Sequence, residues 1–301
     1  MSGPAVRTVF LGSGRFAVPS LAHLAEHPRV ALVGIVTAPP RPVGRRQQLQ
    51  PTPVGAWAAG HRLEPWTPVR LRDEEAIAAI AALAPELVVL ADYGQIVPPA
   101  LLRLPRYGAL NLHPSLLPRH RGAAPIQAAI LAGDERTGVT LMVMDEGLDS
   151  GPIVAQRAID LAGEEVAPEL EDRLAGMAAE LLADTLHAWL DGELTAHPQP
   201  TAGVTITRPL RRTDGRLDPS RSARELERQV RAYQPWPGSF VETAHGRLLV
   251  WRARVAGGPT PNPTLHTSDG ALELLEVQPA GGRRMSGEEY VRGRPGSLTL
   301  G

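Results

Sequence analysis

Short apolar runs alternate with amphipathic stretches through the first two thirds of the chain. Apolar runs of about 4 to 8 residues are typical of buried strands, whereas apolar residues at three- and four-residue spacing predict helices. Their alternation favours an α/β domain with a Rossmann-like, doubly wound and mostly parallel sheet. The predicted strands cover residues 6–11, 31–37, 87–91, 139–144 and 153–158, with one more ending near residue 111, and the predicted helices cover residues 17–25, 73–83, 126–131 and 168–190.

A different pattern begins after the last of these helices. Residues 191–205 are rich in Gly, Pro, Thr and His and have no periodicity, which indicates a linker. Beyond it lie one predicted helix and several short alternating segments, a pattern typical of a small β-barrel. We therefore predict two domains, residues 1–205 and 206–301. The elements of the second domain are predicted at residues 222–232, 239–243, 248–254 and 272–277.

Composition excludes several classes of protein. The chain has 301 residues, which is enough for a large domain and a smaller one. It contains no run of 18 apolar residues and no signal pattern at its start, so we expect a cytoplasmic protein without a membrane partner. Cysteine is absent, and the nine histidines lack metal-ligand spacing, so we expect no metal site.

Charge is distributed unevenly along the chain. All 31 basic residues are arginine, and the net charge is −1. Residues 1–205 carry 16 Arg against 22 Asp and Glu, a balance of −6, whereas residues 206–301 carry 15 against 10, a balance of +5. A basic excess on the smaller part indicates contact with nucleic acid.

Candidate chemistry lies in two segments that follow predicted strands. In NLHPSLLP, Asn111 and His113 are two residues apart and so project to the same side at the carboxyl edge of the sheet. In MDEGLDSGP, Gly147 and Gly151 bend the chain so that Asp149 turns back to this edge. An amide, an imidazole and a carboxylate would then converge. Each group alone has a plainer explanation, since His-Pro is usually structural and an Asp between glycines is usually a turn residue.

Two other observations bear on a site. The chain has only two asparagines, Asn111 and Asn262, so an Asn at a strand end is not a compositional default, and its amide suits an oxyanion donor. Gly12 and Gly14 could begin a dinucleotide loop, but Ala17 stands where that motif has its third glycine. No acidic residue ends the next strand, which disfavours a nicotinamide site.

The stretches NLHPSLLPRHRGAAPIQ and GVTLMVMDEGLDSGPI closely resemble the folate-dependent formyltransferases, and within them the branch that acts on methionyl-tRNA. YQPWPGSF and LEVQPAGGRRMSGEEYVRGR, in the second domain, resemble the same branch, so the likeness covers almost the whole chain. The resemblance implies the formyltransferase fold, with an OB-like barrel as the C-terminal domain.

The resemblance also implies roles for individual residues. Asn111, His113 and Asp149 fall on the family's catalytic positions. They would pass a formyl group from 10-formyltetrahydrofolate to the amino group of methionyl-initiator tRNA for translation initiation, with no metal. We expect Asn111 and His113 to stabilise the oxyanion, and Asp149 to hold the His113 tautomer and raise its pKa. The folate site is implied at Ser115, Leu116, Leu117 and Pro118, bordered by Tyr93, Gln95, Ile96 and Val97, where core packing of the last two is an equal alternative.

Contacts to tRNA are expected in two places. In the family, the loop that matches residues 39–51 reaches the acceptor arm, and Arg45 falls on its arginine. Gln47 and Gln48 stand where relatives often carry basic residues, so we expect this loop to bind tRNA more weakly than theirs. The remaining expected contacts are Arg41 and Arg46 in the same loop and Arg224, Arg228 and Arg231 on one side of the helix predicted at 222–232.

Two rival functions fit parts of the chain. A formyltransferase for an amino sugar nucleotide would share the first domain, but RGAAPIQ, QPWPGSF and the basic second domain disfavour it. An inactive tRNA-binding module would keep only the second domain, but the intact Asn111, His113 and Asp149 disfavour that.

Overall fold

The computed structural model describes residues 4–44, 47–293 and 299–300. Arg45 and Arg46, both expected to contact tRNA, lie outside this part of the chain. Contacts divide the molecule into two units, and the second contains everything from Arg208 onward. Two earlier segments, Ala124–Glu135 and Asp160–Leu170, also belong to the second unit, which the sequence pattern does not predict.

The strands before Arg208 include the six of the main sheet and two short pairs. They are β1 (Val6–Gly12), β2 (Val30–Val36), β3 (Arg41–Val43), β4 (Gln48–Gln50), β5 (Leu87–Ala91), β6 (Ala109–His113), β7 (Arg121–Gly122), β8 (Arg136–Val143), β9 (Ile153–Asp160) and β10 (Ile206–Thr207).

The main sheet has the order β2-β1-β5-β6-β8-β9. The first four strands are parallel, and β8 pairs antiparallel with β6. Every residue of β5 and β6 is buried, because helices cover both faces of a parallel sheet, whereas β9 alternates along the edge. The doubly wound, mostly parallel sheet expected for the first domain is therefore confirmed.

The α-helices of the chain are α1 (Val18–Glu26), α2 (Pro53–Gly60), α3 (Glu74–Ala82), α4 (Pro99–Leu102), α5 (Pro125–Ala132), α6 (Ala167–Leu190), α7 (Ala223–Ala232) and α8 (Gly287–Arg292). Single 3-10 turns cover Arg15–Ala17 and Arg212–Gly215. α7 begins with a capping box in which Ser222 and Glu225 bond to each other's backbone N–H. Among the described residues, no helix is long and apolar enough to cross a membrane.

The second unit is built on a curled, mostly antiparallel sheet. Its strands are β11 (Ser239–Thr243), β12 (Gly246–Val255), β13 (Thr264–Thr267), β14 (Gly270–Pro279), β15 (Met285–Ser286) and β16 (Thr299–Leu300). They follow the order β11-β12-β14-β13-β16, with β15 beside β14. Apolar residues of α7, including Leu226 and Val230, lie in one core cluster with inward residues of β12 and β14. A small OB-like domain is thus confirmed.

Candidate active site

Asn111 and His113 lie at the carboxyl end of β6, in the middle of the main sheet. Asn111 pairs with Leu90 of β5, and His113 pairs with Thr140 of β8. Strands on both sides leave these two residues only 5% and 4% exposed. Their spacing of two residues places both on one face of the sheet, as the sequence predicts.

Asp149 returns to the same edge through the turn that follows β8. Its Oδ1 accepts a hydrogen bond from Asn111 Nδ2 at 3.3 Å, and its Oδ2 lies 3.7 Å from His113 Nδ1. The Gly122 N–H of β7 donates to the same Oδ2 at 2.8 Å. The three side chains expected to converge are therefore in contact, and a backbone amide completes the cluster.

The turn that carries Asp149 is held by its own side chains. Asp145 accepts hydrogen bonds from the Gly147 N–H and the Ser150 hydroxyl at 3.0 and 2.9 Å. Gly151 lies directly against the Val143 carbonyl, so a Cβ at that position would clash. Asp149 itself has a φ of +46°, a region that non-glycine residues occupy only where their surroundings hold them.

His113 is held as a neutral imidazole with a defined tautomer. Its Nε2 lies 2.9 Å from the His120 carbonyl oxygen, which can only accept, so Nε2 carries the proton and donates. Burial lowers the pKa of His113, and the Asp149 carboxylate and the His120 carbonyl offset this only in part. Asp149 thus raises the pKa of His113 as expected, but burial outweighs this effect and the pKa is lowered. In the neutral state, the Nδ1 lone pair faces Asp149.

Residues 115–118 form a rigid loop beside the cluster. Ser115 and Leu117 are buried, and their backbones bond to Thr140, whose hydroxyl donates to Ser115 O and accepts from Leu117 N–H. Gln156 adds a hydrogen bond to the Leu117 carbonyl at 2.9 Å. Leu116 and Pro118 are partly exposed. Of the four residues expected to line the folate site, these two are the ones with partly exposed side chains.

The loop after β5 also contains both buried and exposed residues. The Tyr93 ring and Val97 belong to the hydrophobic core, and burial raises the pKa of Tyr93 to about 12. Gln95 accepts from Leu71 N–H and donates to the Pro68 carbonyl. Ile96, in contrast, is 90% exposed. Core packing, the equal alternative for Ile96 and Val97, is thus confirmed for Val97 and wrong for Ile96.

The arginines expected to contact tRNA have different environments. Arg41 is exposed in the β3–β4 hairpin. Arg224, Arg228 and Arg231 line one cleft of about 330 Å³ in the second unit. Arg228 donates to the Ala132 carbonyl, and Arg231 bonds to Glu227 and the Glu165 carbonyl, whereas Arg224 is exposed.

Two residues that contact the Asp149 turn have no sequence pattern that would predict those contacts. Gly122 acts through its backbone N–H, which any residue except proline possesses. Gln199 lies in the predicted linker, and its side chain bonds to the Asp149 turn across 50 residues of sequence. Among the described residues, no group of three or more His, Asp or Glu side chains is arranged to hold a metal ion.

Two family models match the chain. "Formyl transferase" matches residues 6–186, and "Formyl transferase, C-terminal domain" matches residues 209–295.

Similar proteins carry a consistent name. The chain is 44% identical over 302 residues to methionyl-tRNA formyltransferase of Halorhodospira halophila, with 96% of this chain and 97% of that protein covered. It is 44% identical over 306 residues to the Paramagnetospirillum magneticum protein of the same name, with 98% and 100% covered.

Solved structures show the same fold at lower identity. A sugar N-formyltransferase from Shewanella sp. FDAARGOS_354 superposes with a TM-score of 0.65 at 17% identity, covering 85% of this chain and 99% of that one. HypX from Aquifex aeolicus in complex with tetrahydrofolic acid superposes with a TM-score of 0.63 at 16% identity. That match covers 98% of this chain, which spans only about half of HypX, 48% of its length.

Proposed function

Because the chain belongs to the formyl transferase family, we propose that it transfers the formyl group of 10-formyltetrahydrofolate to the amino group of methionyl-initiator tRNA. The observation that carries this proposal is the identity of more than 40%, over nearly the full length of both chains, to proteins named methionyl-tRNA formyltransferase. The geometry at Asn111, His113 and Asp149 supports it, since it provides a hydrogen-bond donor, a proton acceptor and a carboxylate in one place.

The attacking group needs little activation. A free α-amino group has a pKa of about 7.7 to 8, and the neighbouring ester lowers the pKa of this one further. The amine nitrogen attacks the formyl carbon, and the carbonyl oxygen becomes an oxyanion. When the oxyanion collapses, the bond from the formyl carbon to the folate nitrogen breaks, and the folate nitrogen takes up the proton that the amine loses.

Asn111 is placed to stabilise the oxyanion. One N–H of its amide donates to Asp149 Oδ1, which fixes the plane of the group, and the second N–H remains for the substrate oxygen. A fixed donor of this kind typically stabilises the transition state by about 3 to 4 kcal/mol.

His113 is placed to receive the proton. Its Nε2–H donates a hydrogen bond to the His120 carbonyl, so the lone pair on Nδ1 is the only basic position of the ring. When Nδ1 takes the proton from the amine, the Asp149 carboxylate at 3.7 Å stabilises the resulting imidazolium. His113 then returns the proton to the folate nitrogen. This role replaces the oxyanion donor expected from the sequence.

The donor and the tRNA are assigned to different surfaces. We place the folate against the partly exposed side chains of Leu116 and Pro118, the exposed side chain of Ile96 and the backbone of Gln95. For tRNA, the exposed guanidinium of Arg224 is the strongest candidate on α7, since Arg228 and Arg231 already bond to protein carbonyls. The other candidates are Arg41, Arg45 and Arg46 in the stretch of residues 39–51.

A choice of acceptors tests the proposal. The protein is incubated with the formyl donor and, in separate reactions, methionyl-initiator tRNA, the same tRNA uncharged, or an amino sugar nucleotide. We expect N-formylmethionine after hydrolysis of the ester in the first reaction only. Formylation of the sugar instead would establish the rival enzyme, and no formylation of any acceptor would support a binding module.

A further inference from the structure

Gln199 connects the predicted linker to the catalytic turn. Its side-chain Nε2 donates two hydrogen bonds, both of 2.8 Å, to the carbonyl oxygens of Asp149 and Gly151. These two bonds use both N–H groups of the amide. A single side chain therefore holds the backbone on both sides of Ser150.

Backbone pairing explains why Gln199 reaches this turn. His197 and Ile153 form an antiparallel bridge, with hydrogen bonds of 2.7 and 2.8 Å in the two directions. Residues two positions further along such a pair face each other, so Gln199 falls opposite Gly151. The segment expected to be only a linker is thus ordered next to β9, where its side chains can act on the site.

Arg121 determines which way the Gln199 amide points. Its Nε and one Nη donate to Gln199 Oε1 at 3.1 and 2.7 Å, so the amide nitrogen must face the turn. The next residue, Gly122, donates its N–H to Asp149 Oδ2. A closed ring of contacts therefore passes from Arg121 through Gln199 and Asp149 to Gly122.

We propose that Gln199 is a positioning residue for formyl transfer, because it holds Asp149 in the strained backbone conformation that directs its carboxylate toward Asn111 and His113. Asp149 has a positive φ, and such a conformation persists only where neighbouring contacts maintain it. Small displacements of a reacting group lower rates strongly. Gln199 needs no contact with either substrate for this role.

The sharpest variant is Gln199→Glu, which keeps the shape and the contact with Arg121 but replaces two N–H donors by a carboxylate oxygen. We expect kcat for methionyl-tRNA formylation to fall at least about tenfold, while KM for the folate donor stays within about twofold. Gln199→Ala, which adds no charge, should likewise lower kcat and leave KM for the folate donor nearly unchanged. Gln278 in β14 accepts from Trp251 and donates to a carbonyl in the same way, so Gln278→Glu serves as the matched control.

A double-mutant cycle separates positioning from general stability. If Gln199 acts through Asp149, Gln199→Glu causes little further loss of kcat in an Asp149→Asn background. The proposal would be overturned if the fold decreases in kcat of the two single variants multiply in the double variant. It would also be overturned if both Gln199 variants have a kcat within about twofold of the parent. The inference rests on the proposed function, but the two fail differently, since an inactive parent protein refutes the function and a normal Gln199 variant refutes only the role of Gln199.

Discussion

At the residue scale, the site depends on an aspartate that is held from several directions. Asp149 accepts from Asn111 and Gly122 through its carboxylate and from Gln199 through its carbonyl. Its left-handed backbone conformation costs about 1 to 3 kcal/mol, which these contacts offset. The carboxylate is therefore in place before a substrate arrives.

Replacing Asn111 by alanine should lower kcat by about 100-fold or more, because it removes one oxyanion donor. The chain offers a matched control in its only other asparagine. Asn262 donates to Glu273 in the second unit, so Asn262→Ala removes an equivalent amide without reaching the site. Steady-state rates of both variants decide the question, and equal kcat values would remove Asn111 from the mechanism.

The pKa of His113 should lie below 6.5, because burial disfavours the imidazolium. Replacing Asp149 by asparagine should lower this pKa again, since the carboxylate raises it. An NMR titration of the His113 ring, identified by its absence in His113→Gln, measures both values. A pKa above 6.5 in the parent would contradict this expectation, and a pKa above the assay pH would mean that His113 is mostly charged and cannot accept the amine proton.

The local sequence pattern predicted which side chains converge at the site, but it did not predict the contacts that hold them in place. Asn111 and His113 follow from the two-residue period of a strand, and Asp149 follows from the glycines around it. The tautomer of His113 and the contact from Gln199 depend on residues brought together by the fold. No local pattern encodes such contacts, so the sequence placed Gln199 in a passive linker.

At the element scale, the proline-rich stretch after β2 contains more structure than its composition predicts. β3 and β4 pair as an exposed hairpin, and α2 begins at Pro53 with Thr52 as its N-cap. The four prolines from Pro39 to Pro51 predict that residues 38–53 form neither a helix nor a central strand. This is correct for β3 and β4 but misses the start of α2 at Pro53, because the fixed φ of proline favours the first position of a helix.

In the same stretch of sequence, Arg45→Ala should lower kcat/KM for tRNA by about tenfold or more, as expected when a charge-assisted hydrogen bond of about 1.5 to 3 kcal/mol is lost. Gln47→Ala and Gln48→Ala, which remove neutral side chains, should change it little. Kinetics at subsaturating tRNA compare the three variants. If Arg45→Ala matches the two glutamine variants, this stretch has no part in recognition.

The end of α1 packs near the end of α6 through several histidines. The His23 and His27 rings lie 5.5 Å apart, and Asp191 bonds to both Arg29 and His187. Burial lowers the pKa of His27, and the nearby His23, His187 and Arg29 lower it further. In the unfolded chain His27 has its ordinary pKa of 6.5. As the pH falls below 6.5, His27 therefore takes up its proton in the unfolded chain before it does so in the folded one.

The free energy of unfolding should accordingly fall as pH decreases below 6.5 and continue to fall until the folded pKa is passed. His27→Asn keeps an acceptor for the Arg29 N–H but removes the titrating group. Denaturant unfolding at several pH values should show a flatter profile for this variant. An identical slope in parent and variant would show that His27 does not contribute to acid sensitivity.

At the scale of the whole molecule, the two units do not follow the chain order. The second unit includes α5, which packs against α7. Cutting the chain after Thr207 would remove α7 and leave α5 without the helix that it packs against. The sequence predicted a boundary at 205/206 but not this exchange of segments, because the contact between α5 and α7 joins residues far apart in sequence. Point substitutions therefore test tRNA binding better than truncation.

Binding of tRNA should weaken steeply with salt, since residues 206–301 carry a balance of +5. Arg224→Gln should lower the slope of log affinity against log salt by about one, the value for one lost phosphate contact. The Arg7 guanidinium donates a hydrogen bond to the Leu83 carbonyl. Arg7→Gln therefore removes one positive charge from the first unit and serves as the control. An unchanged slope in Arg224→Gln would exclude this arginine from the interface.

The most direct test of the whole account is a single-turnover measurement of methionyl-tRNA formylation by the parent protein and by Asp149→Asn, each first saturated with the formyl donor. The account predicts that the parent converts the bound methionyl-tRNA to its N-formyl form. It also predicts that the variant binds both substrates but transfers at least about 100-fold more slowly. A parent that leaves methionine unformylated, or a variant that transfers at the parent's rate, would contradict it.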